Sequence, residues 1–363
     1  MEISHILLMA IGLALLTGGG ELLIRGSSRL AAFAGVSPLV IGLTVVAYGT
    51  SAPELAVSVT SSLAGQSDIA FGNVVGSNIF NVLFILGTCA LIQPLRVSSQ
   101  LIRFDVPILV VASFTSAVMA LDGRIGRSDG IMLTAAIVAY TVFSLVKSRK
   151  DSLSVRKEYA KEFGSKPRTT NEIAVCLFQI LIGLVLLVAG SRWLVEGAVA
   201  LARILGISEL VIGLTIIAAG TSLPEVAASV IATMRGERDI AVGNIVGSNI
   251  FNILSVLGFS ALVAPDGVIV SRAALVYDLP VMLAVSVACL PVFFTGASIA
   301  RWEGAVFLGY YVFYTLQLIA RATGSQGTLT FLTMAGFIIV PATVVVLCLS
   351  VWQAITPPRK GAS

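Results

Sequence analysis

Eleven predominantly apolar segments occupy most of this 363-residue chain and restrict its fold more than any other feature. About 20 apolar residues cross a bilayer as a helix, and inside lipid every backbone polar group must be paired within the protein. Because only 12% of the residues are charged and the mean hydropathy is +0.99, the sequence predicts an all-α integral membrane protein. The predicted spans are 4–25, 38–63, 69–94, 104–121, 128–147, 173–203, 208–233, 240–264, 274–295, 303–321 and 329–353.

The scarcity of histidine and the scattering of cysteine exclude several classes of protein. The chain has one histidine, His5, and its four cysteines lie far apart in apolar runs. A His-based catalytic triad and a zinc site built on paired histidines or CxxC motifs need more than this. We therefore expect a protein that is not an enzyme and has no resident cofactor. The net charge of +4 is concentrated in one segment, which indicates membrane topology rather than nucleic-acid binding.

That basic segment predicts the orientation of the chain. Cytoplasmic loops carry an excess of Lys and Arg, so we expect residues 147–168 in the cytoplasm. Five predicted spans precede the segment, which places the N-terminus outside a cell (inner) membrane crossed many times. The predicted parts are a first five-helix repeat (1–147), a basic cytoplasmic loop (148–171), a second five-helix repeat (172–322), and an extra C-terminal helix with its tail (323–363). The basic residues are Lys147, Arg149, Lys150, Arg156, Lys157, Lys161, Lys166 and Arg168.

One long segment occurs twice in the chain. Residues 39–87 align without a gap on 210–258 at a constant offset of 171, with about 31 of 49 positions identical. Five spans separate equivalent points, and an odd number of crossings gives the two copies opposite orientations. Inverted repeats of this kind place substrate sites at the bilayer midplane, between the two halves. Packing alone would explain the repeated glycines, but not the repeated carboxylates within apolar helices.

A Pro-Glu pair lies near the centre of the second span and again near the centre of the seventh: Pro53-Glu54 and Pro224-Glu225. Proline removes one backbone donor and blocks the carbonyl four residues earlier, so each helix should bend there. The freed carbonyls, around 47–50 and 218–221, should face a cavity lined by protein, because lipid offers them no donor. An intramembrane Glu costs about 2–4 kcal/mol and is typical of an ion path or a proton relay.

The following span of each half offers further oxygen ligands. Both contain Gly-Asn-Val/Ile-Val-Gly-Ser-Asn-Ile-Phe-Asn, in which Ser77 and Asn81 share one helical face, as do Ser248 and Asn252. Ca²⁺ takes about six to eight oxygen ligands, whereas soft metals prefer Cys or His, which are absent from these motifs. The predicted substrate is therefore a hard cation.

The charge of the predicted site favours exchange over one-way transport. Two ionised glutamates balance one Ca²⁺ or two Na⁺, whereas an empty ionised site would be poorly compensated in a low dielectric. A loaded carrier can therefore rearrange while an empty one resists. Protons could replace Na⁺ on the same carboxylates, so the residues alone do not choose the counter-ion.

The motifs GTSAPE (49–54) with GNVVGSNIFN (72–81), and GTSLPE (220–225) with GNIVGSNIFN (243–252), carry a resemblance to a known family. The sequence resembles the sodium/calcium exchangers of the calcium:cation antiporter superfamily, in their compact prokaryotic form. The resemblance implies ten helices and an antiporter that exchanges Ca²⁺ for Na⁺ by alternating access, with spans 1 and 6 sliding over a core of spans 2, 3, 7 and 8. It implies that Glu54 and Glu225 hold Ca²⁺ at the midplane with backbone oxygens of Thr50 and Thr221. The implied Na⁺ sites are Ala47, Thr50, Ser77 and Glu225, and their mirror set Ala218, Thr221, Ser248 and Glu54, with Ser51, Ser222, Asn81 and Asn252 completing the lining.

Two features depart from that family pattern. Some prokaryotic relatives have Asp at the position of Asn252, whereas this chain has Asn in both halves and so one acid fewer. The apolar segment 329–353 exceeds ten spans and predicts an additional helix. A Ca²⁺/H⁺ exchanger, a K⁺-dependent exchanger and a cation channel remain as alternatives, although broken helices in an inverted repeat argue against the channel. The expected partners are Ca²⁺, Na⁺ or H⁺ and the lipid bilayer, with no nucleic acid; the oligomeric state is not predicted.

Overall fold

The fold is a bundle of long helices. The computed structural model describes residues 2–163 and 170–356. Within these residues, nine single helices are long and apolar enough to cross a membrane, and two bent pairs bring the number to eleven. The predicted all-α membrane fold is confirmed, and each predicted span has its helix. The helices are α1 (Glu2–Ala34), α2 (Pro38–Thr50), α3 (Ala52–Leu63), α4 (Ser67–Ile92), α5 (Leu101–Asp122), α6 (Arg127–Phe163), α7 (Thr170–Ile204), α8 (Glu209–Gly220), α9 (Leu223–Met234), α10 (Arg238–Val263), α11 (Ala274–Phe294), α12 (Arg301–Ala322) and α13 (Gln326–Ile355).

Both predicted helix breaks are present. Helices α2 and α3 meet at an angle of 45°, and α8 and α9 meet at 51°. At the breaks, Ser51 (φ −82°, ψ 8°) and Ser222 (φ −89°, ψ 8°) leave helical geometry, and a proline follows two residues later. Because proline has no N–H and restricts the residue before it, each helix restarts rather than continues. The result is a pair of half-helices whose ends lie inside the bundle.

Helices α1 and α7 pack along a seam of glycines. A Cβ added at Gly19 would lie 2.8 Å from the Gly183 carbonyl oxygen, and one added at Gly12 would lie 2.8 Å from that of Gly190. Positions rise along α1 as their partners fall along α7, so these equivalent helices run antiparallel, as an inverted repeat requires. Only glycine allows so close an approach of two backbones. The seam comprises Gly12, Gly19 and Gly26 of α1 and their equivalents Gly183, Gly190 and Gly197 of α7.

Helices α4 and α10 form the centre of the molecule, and α13 lies at its edge. The most apolar stretch of α10 is 89% buried and that of α4 is 72% buried, whereas the corresponding stretch of α13 is not buried at all. Helix α13 packs on α12, where the Tyr310 hydroxyl lies 2.5 Å from Thr343 Oγ1. The extra C-terminal helix is therefore present, as a peripheral addition to the repeat.

Within the described residues, two pairs of short strands also join the halves, and no sequence pattern predicted them. Strand β1 (Leu95–Arg96) pairs antiparallel with β4 (Ser298–Ile299), and β2 (Arg124–Ile125) pairs with β3 (Val268–Ile269). Each pair takes one strand from each half. The connections between spans are thereby tied together across the repeat.

Two predicted boundaries differ from the structure. Helix α1 continues to Ala34, beyond the predicted end at residue 25, because polar residues after that point lower hydropathy without stopping a helix. The segment 148–171, predicted as a loop, is helical as far as Phe163 and again from Thr170. Its Lys, Arg and Glu residues favour a helix that extends past the membrane span. The remaining residues of that segment, 164–169, lie outside the described part of the chain.

Two adjacent glycines provide a test of the seam. We expect Gly19→Ala to lower the free energy of unfolding by about 1–3 kcal/mol, because the new methyl group would meet the backbone of α7. An added Cβ at Gly18 has no neighbour within 4 Å, so Gly18→Ala should leave stability equal or slightly higher. Thermal unfolding of both variants in detergent checks this. Equal melting temperatures for the two would contradict the seam.

Candidate ion-binding site

The two broken helices bring Glu54 and Glu225 into the interior. Each glutamate lies in the first turn of the restarted helix, one residue after its proline. Both side chains are buried. The N-terminal end of a helix carries partial positive charge, which favours an ionised carboxylate at that position. Chain geometry therefore supplies part of the compensation for two buried acids.

Each carboxylate is held by a serine from the other half of the repeat. Ser51 donates to Glu225 Oε1 at 2.7 Å, and Ser222 donates to Glu54 Oε1 at 2.8 Å. The Ser222 hydroxyl also lies 3.2 Å from Ser77 Oγ. The two glutamates therefore belong to one cluster that spans the interface of the repeats. Neither half can form it alone.

Asn73 and Asn244 form hydrogen bonds to the backbone of the two glutamates. Asn73 Nδ2 donates to the backbone oxygen of Glu54 at 3.2 Å and to Ser58 Oγ at 2.9 Å. Its equivalent Asn244 donates to the backbone oxygen of Glu225 at 3.5 Å and to Ser229 Oγ at 2.9 Å. Their side-chain oxygens face the opposite half.

Those two side-chain oxygens contact the threonines that precede the breaks. Asn244 Oδ1 lies 3.1 Å from the Thr50 hydroxyl, and Asn73 Oδ1 lies 3.5 Å from that of Thr221. Thr50 and Thr221 are therefore attached to the opposite half in the same manner as the neighbouring serines.

Five buried side-chain oxygens of the predicted site residues have no hydrogen-bond partner within the described residues. A buried polar atom without a partner is costly, and such atoms mark a site where another group completes the bonding. Two of the five are carboxylate oxygens and three are neutral, a donor set that suits a hard cation. No group of three or more His, Cys, Asp or Glu that could hold a metal occurs in the described residues. The five are Glu54 Oε2, Glu225 Oε2, Asn81 Oδ1, Asn252 Oδ1 and Ser248 Oγ.

The two halves of the site differ in exposure. Ala47 is fully buried, and its carbonyl accepts the Ser51 N–H at 3.0 Å. Its equivalent Ala218 is exposed, and Thr221 is only partly buried where Thr50 is fully buried. Of the twelve predicted site residues, ten are buried, and these two, Ala218 and Thr221, are more open.

Helix packing explains the difference. A Cβ at Gly243 or Gly247 of α10 would lie within 2.8 Å of the backbone of α2, so α2 is closely packed there. The equivalent positions on α4, Gly72 and Gly76, would meet nothing within 4 Å. Helix α8 therefore stands away from α4, whereas α2 lies against α10. The site is therefore closely packed along α2 and more open along α8, with both glutamates buried.

Comparison with known proteins decides the family. A family model described as "Sodium/calcium exchanger protein" matches residues 4–146 and 175–320. The chain belongs to the sodium/calcium exchanger family. It is 39% identical to "Putative antiporter CaxA" of Alkalimonas amylolytica over 315 residues, which cover 85% of this chain and 97% of that protein. It is also 33% identical to "Sodium/calcium exchanger MaX1" of Methanosarcina acetivorans, covering 86% of this chain and 98% of that protein.

The fold agrees with solved structures of this family. A structure of the sodium-calcium exchanger NCX_Mj soaked with Na⁺ and Sr²⁺ matches with a TM-score of 0.74 at 30% identity, covering 89% of this chain and 99% of that chain. A structure of the same exchanger without added Na⁺ or Ca²⁺ matches with a TM-score of 0.73, covering 86% and 98%. The resemblance stated from the motifs is confirmed, and the chain is a cation antiporter of this transporter family.

Sequence reasoning missed several polar residues of the cluster. Asn78 and Asn249, together with Ser58 and Ser229, make buried contacts there but were not predicted as site residues. All four are identical between the two copies and lie within apolar helices. Repetition of a polar residue in a membrane helix was therefore the signal that could have identified them.

The exposure difference between the halves can be tested with matched cysteines. We expect Ala218→Cys to react quickly with N-ethylmaleimide in detergent, because Ala218 is exposed, and Ala47→Cys to react slowly, because Ala47 is buried. The two positions are equivalent in the repeat, so each is the control for the other. Equal labelling rates would show that α2 and α8 are packed alike.

Proposed function

We propose that the protein exchanges Ca²⁺ for Na⁺ across the membrane, with Glu54 and Glu225 as the charged ligands of both ions. One observation carries the proposal: each buried glutamate is hydrogen-bonded by a serine of the opposite half and keeps one carboxylate oxygen that has no partner in the part of the chain that the structure describes. Two such oxygens, with those of Asn81, Asn252 and Ser248, provide an all-oxygen site. The relatives named as exchangers and antiporters support the same function.

Transport follows from the charges and from the unequal packing of the halves. Two ionised carboxylates are compensated by one Ca²⁺ or two Na⁺, so the loaded site rearranges more readily than the empty one. If α8 packed onto α4 while α2 moved away from α10, the same cluster would become accessible from the other side of the membrane. Because the repeat is inverted, this exchange of packing gives alternating access about a fixed site.

We also propose an orientation of the protein in the membrane. The basic residues after Ser148 favour a cytoplasmic end of α6, so the N-terminus would lie outside a cell (inner) membrane. Helix α7 then runs outward and α8 begins on the outer side. The open half of the site would accordingly face the exterior, and the closed half the cytoplasm.

Flux in sealed proteoliposomes tests the counter-ion. We expect ⁴⁵Ca²⁺ uptake to require an outward Na⁺ gradient and to stop when no exchangeable cation is present. Uptake driven equally by an outward proton gradient would favour a Ca²⁺/H⁺ exchanger, and a requirement for K⁺ together with Na⁺ would favour a K⁺-dependent exchanger. Uptake that persists without any counter-cation would indicate a channel and contradict the proposal.

Substitution of the glutamates tests the site. Glu54→Gln and Glu225→Gln should each reduce Na⁺-driven ⁴⁵Ca²⁺ uptake to background, because each removes one of the two charges that balance the ion. The matched control is Glu303→Gln, since Glu303 is also buried but bonds the backbone N–H of Ala300 at 2.7 Å, which a glutamine oxygen can still accept. We expect this control to transport normally. Near-normal uptake by either of the first two variants would rule out the proposed ligands.

A further inference from the structure

Four asparagines meet where α4 and α10 cross, at positions 78, 81, 249 and 252. Asn81 and Asn252 belong to the proposed ion site, and Asn78 and Asn249 have no role in it so far. All four side chains are almost completely buried. A carboxamide presents an oxygen that accepts hydrogen bonds and an NH₂ group that donates them, so it can act as a cation ligand only when its oxygen faces the ion.

Two backbone carbonyls determine how Asn78 and Asn249 are turned. Asn78 Nδ2 donates to the backbone oxygen of Asn249 at 3.3 Å, and Asn249 Nδ2 donates to the backbone oxygen of Asn78 at 3.4 Å. A backbone carbonyl can only accept a hydrogen bond, so each amide nitrogen must face it. The side-chain oxygens of Asn78 and Asn249 must then point the other way.

The side-chain oxygens in turn orient Asn81 and Asn252. Asn78 Oδ1 accepts from Asn252 Nδ2 at 3.1 Å, and Asn249 Oδ1 accepts from Asn81 Nδ2 at 2.9 Å. A side-chain amide oxygen also only accepts, so the NH₂ groups of Asn81 and Asn252 are committed to it. The side-chain oxygens of Asn81 and Asn252 remain, and both are buried with no hydrogen-bond partner among the described residues.

We propose that Asn78 and Asn249 are positioning residues, which turn Asn81 and Asn252 so that oxygen rather than NH₂ faces the transported cation. This inference rests on the proposed function of the Glu54 and Glu225 cluster. A reversed amide would direct N–H groups at the cation, which they cannot bind. The contacts of Asn78 and Asn249 therefore act on affinity through their neighbours, without touching the ion.

The same contacts explain why this chain carries Asn rather than Asp at position 252. A carboxylate at position 252 would place one acceptor against another, Asn78 Oδ1. If the Asn78 amide turned to donate to that carboxylate, the Asn78 oxygen would face the backbone carbonyl of Asn249, which also only accepts. Only a protonated acid could keep the contact. The four-asparagine arrangement is thus specific for a neutral group at 252, and it leaves Glu54 and Glu225 as the acids of the cluster.

Packing of α4 on α10 is the competing explanation, and a separate contact between the halves provides its control. Ser113 Oγ lies 3.2 Å from its counterpart Ser286 Oγ, and each serine otherwise bonds a backbone carbonyl of its own helix. This contact joins the two halves, and neither serine is hydrogen-bonded to any of the four asparagines. Ser113→Ala therefore measures what the loss of one buried contact between the halves does by itself.

The first test separates affinity from folding. We expect Asn78→Leu to raise the KM for Ca²⁺ in Na⁺-driven uptake by about tenfold, with a smaller change in the maximal rate per folded protein, because the Asn252 amide loses its acceptor. Ser113→Ala should leave this KM at the parent value. An unchanged KM in folded Asn78→Leu, or an equal rise in Ser113→Ala, would overturn the positioning role.

The second test uses the mirror position. Asn249→Leu removes the acceptor of Asn81 Nδ2, so this variant should also raise the KM for Ca²⁺ by about tenfold in Na⁺-driven uptake. Ser113→Ala is again the control and should keep the KM of the parent.

These outcomes distinguish the two proposals. If the parent shows no Na⁺-driven ⁴⁵Ca²⁺ uptake, the proposed function fails. If the parent transports and folded Asn249→Leu keeps the KM of the parent, the function stands and the positioning role is wrong. Asn249→Leu decides the matter even if Asn78→Leu does not fold.

Discussion

Glu54 and Glu225 each carry a carboxyl group removed from water, and each is held by a serine that belongs to the other half of the protein. A carboxylate in an apolar interior is tolerated only when donors, dipoles or ions compensate it. Here the breaks supply two of these: the helix restarts provide positive ends and the serines at the breaks provide donors, while one oxygen of each carboxylate has no partner within the described residues. The inverted repeat is needed because the donors for each acid lie on the opposite half.

The two halves have nearly the same sequence in this region but pack differently. Gly243 and Gly247 lie against the backbone of α2, whereas the equivalent glycines on α4 have open space beside them. The motif around each break is compatible with both arrangements, since the same glycines can accept a close helix or stand free. A repeat that can be packed tightly on one side at a time is the physical basis of a site reached alternately from each side. Symmetry of sequence therefore coexists with asymmetry of structure.

Much of the architecture follows from the sequence because membrane helices have a strong signal. The breaks at Ser51 and Ser222 were predictable, since proline cannot continue a helix without losing a backbone bond. The contact of Ser51 with Glu225 was not, because which residues of antiparallel halves face each other depends on the depth at which the two broken helices meet. The helical end of the basic segment was missed for another reason: hydropathy reports where a span stops, and the helix of α6 continues past that point.

Two helix–helix interfaces of the molecule differ in how their atoms meet. Between α1 and α7, glycines at every seventh position bring backbone against backbone. Between α4 and α10, the asparagines form hydrogen bonds that each specify one partner and one direction. A directional polar network is lost as soon as its groups move apart, whereas a contact between glycine backbones is lost when a side chain is added. The α4–α10 network therefore depends on the geometry of the crossing, and the α1–α7 seam depends on the absence of side chains at its six glycines.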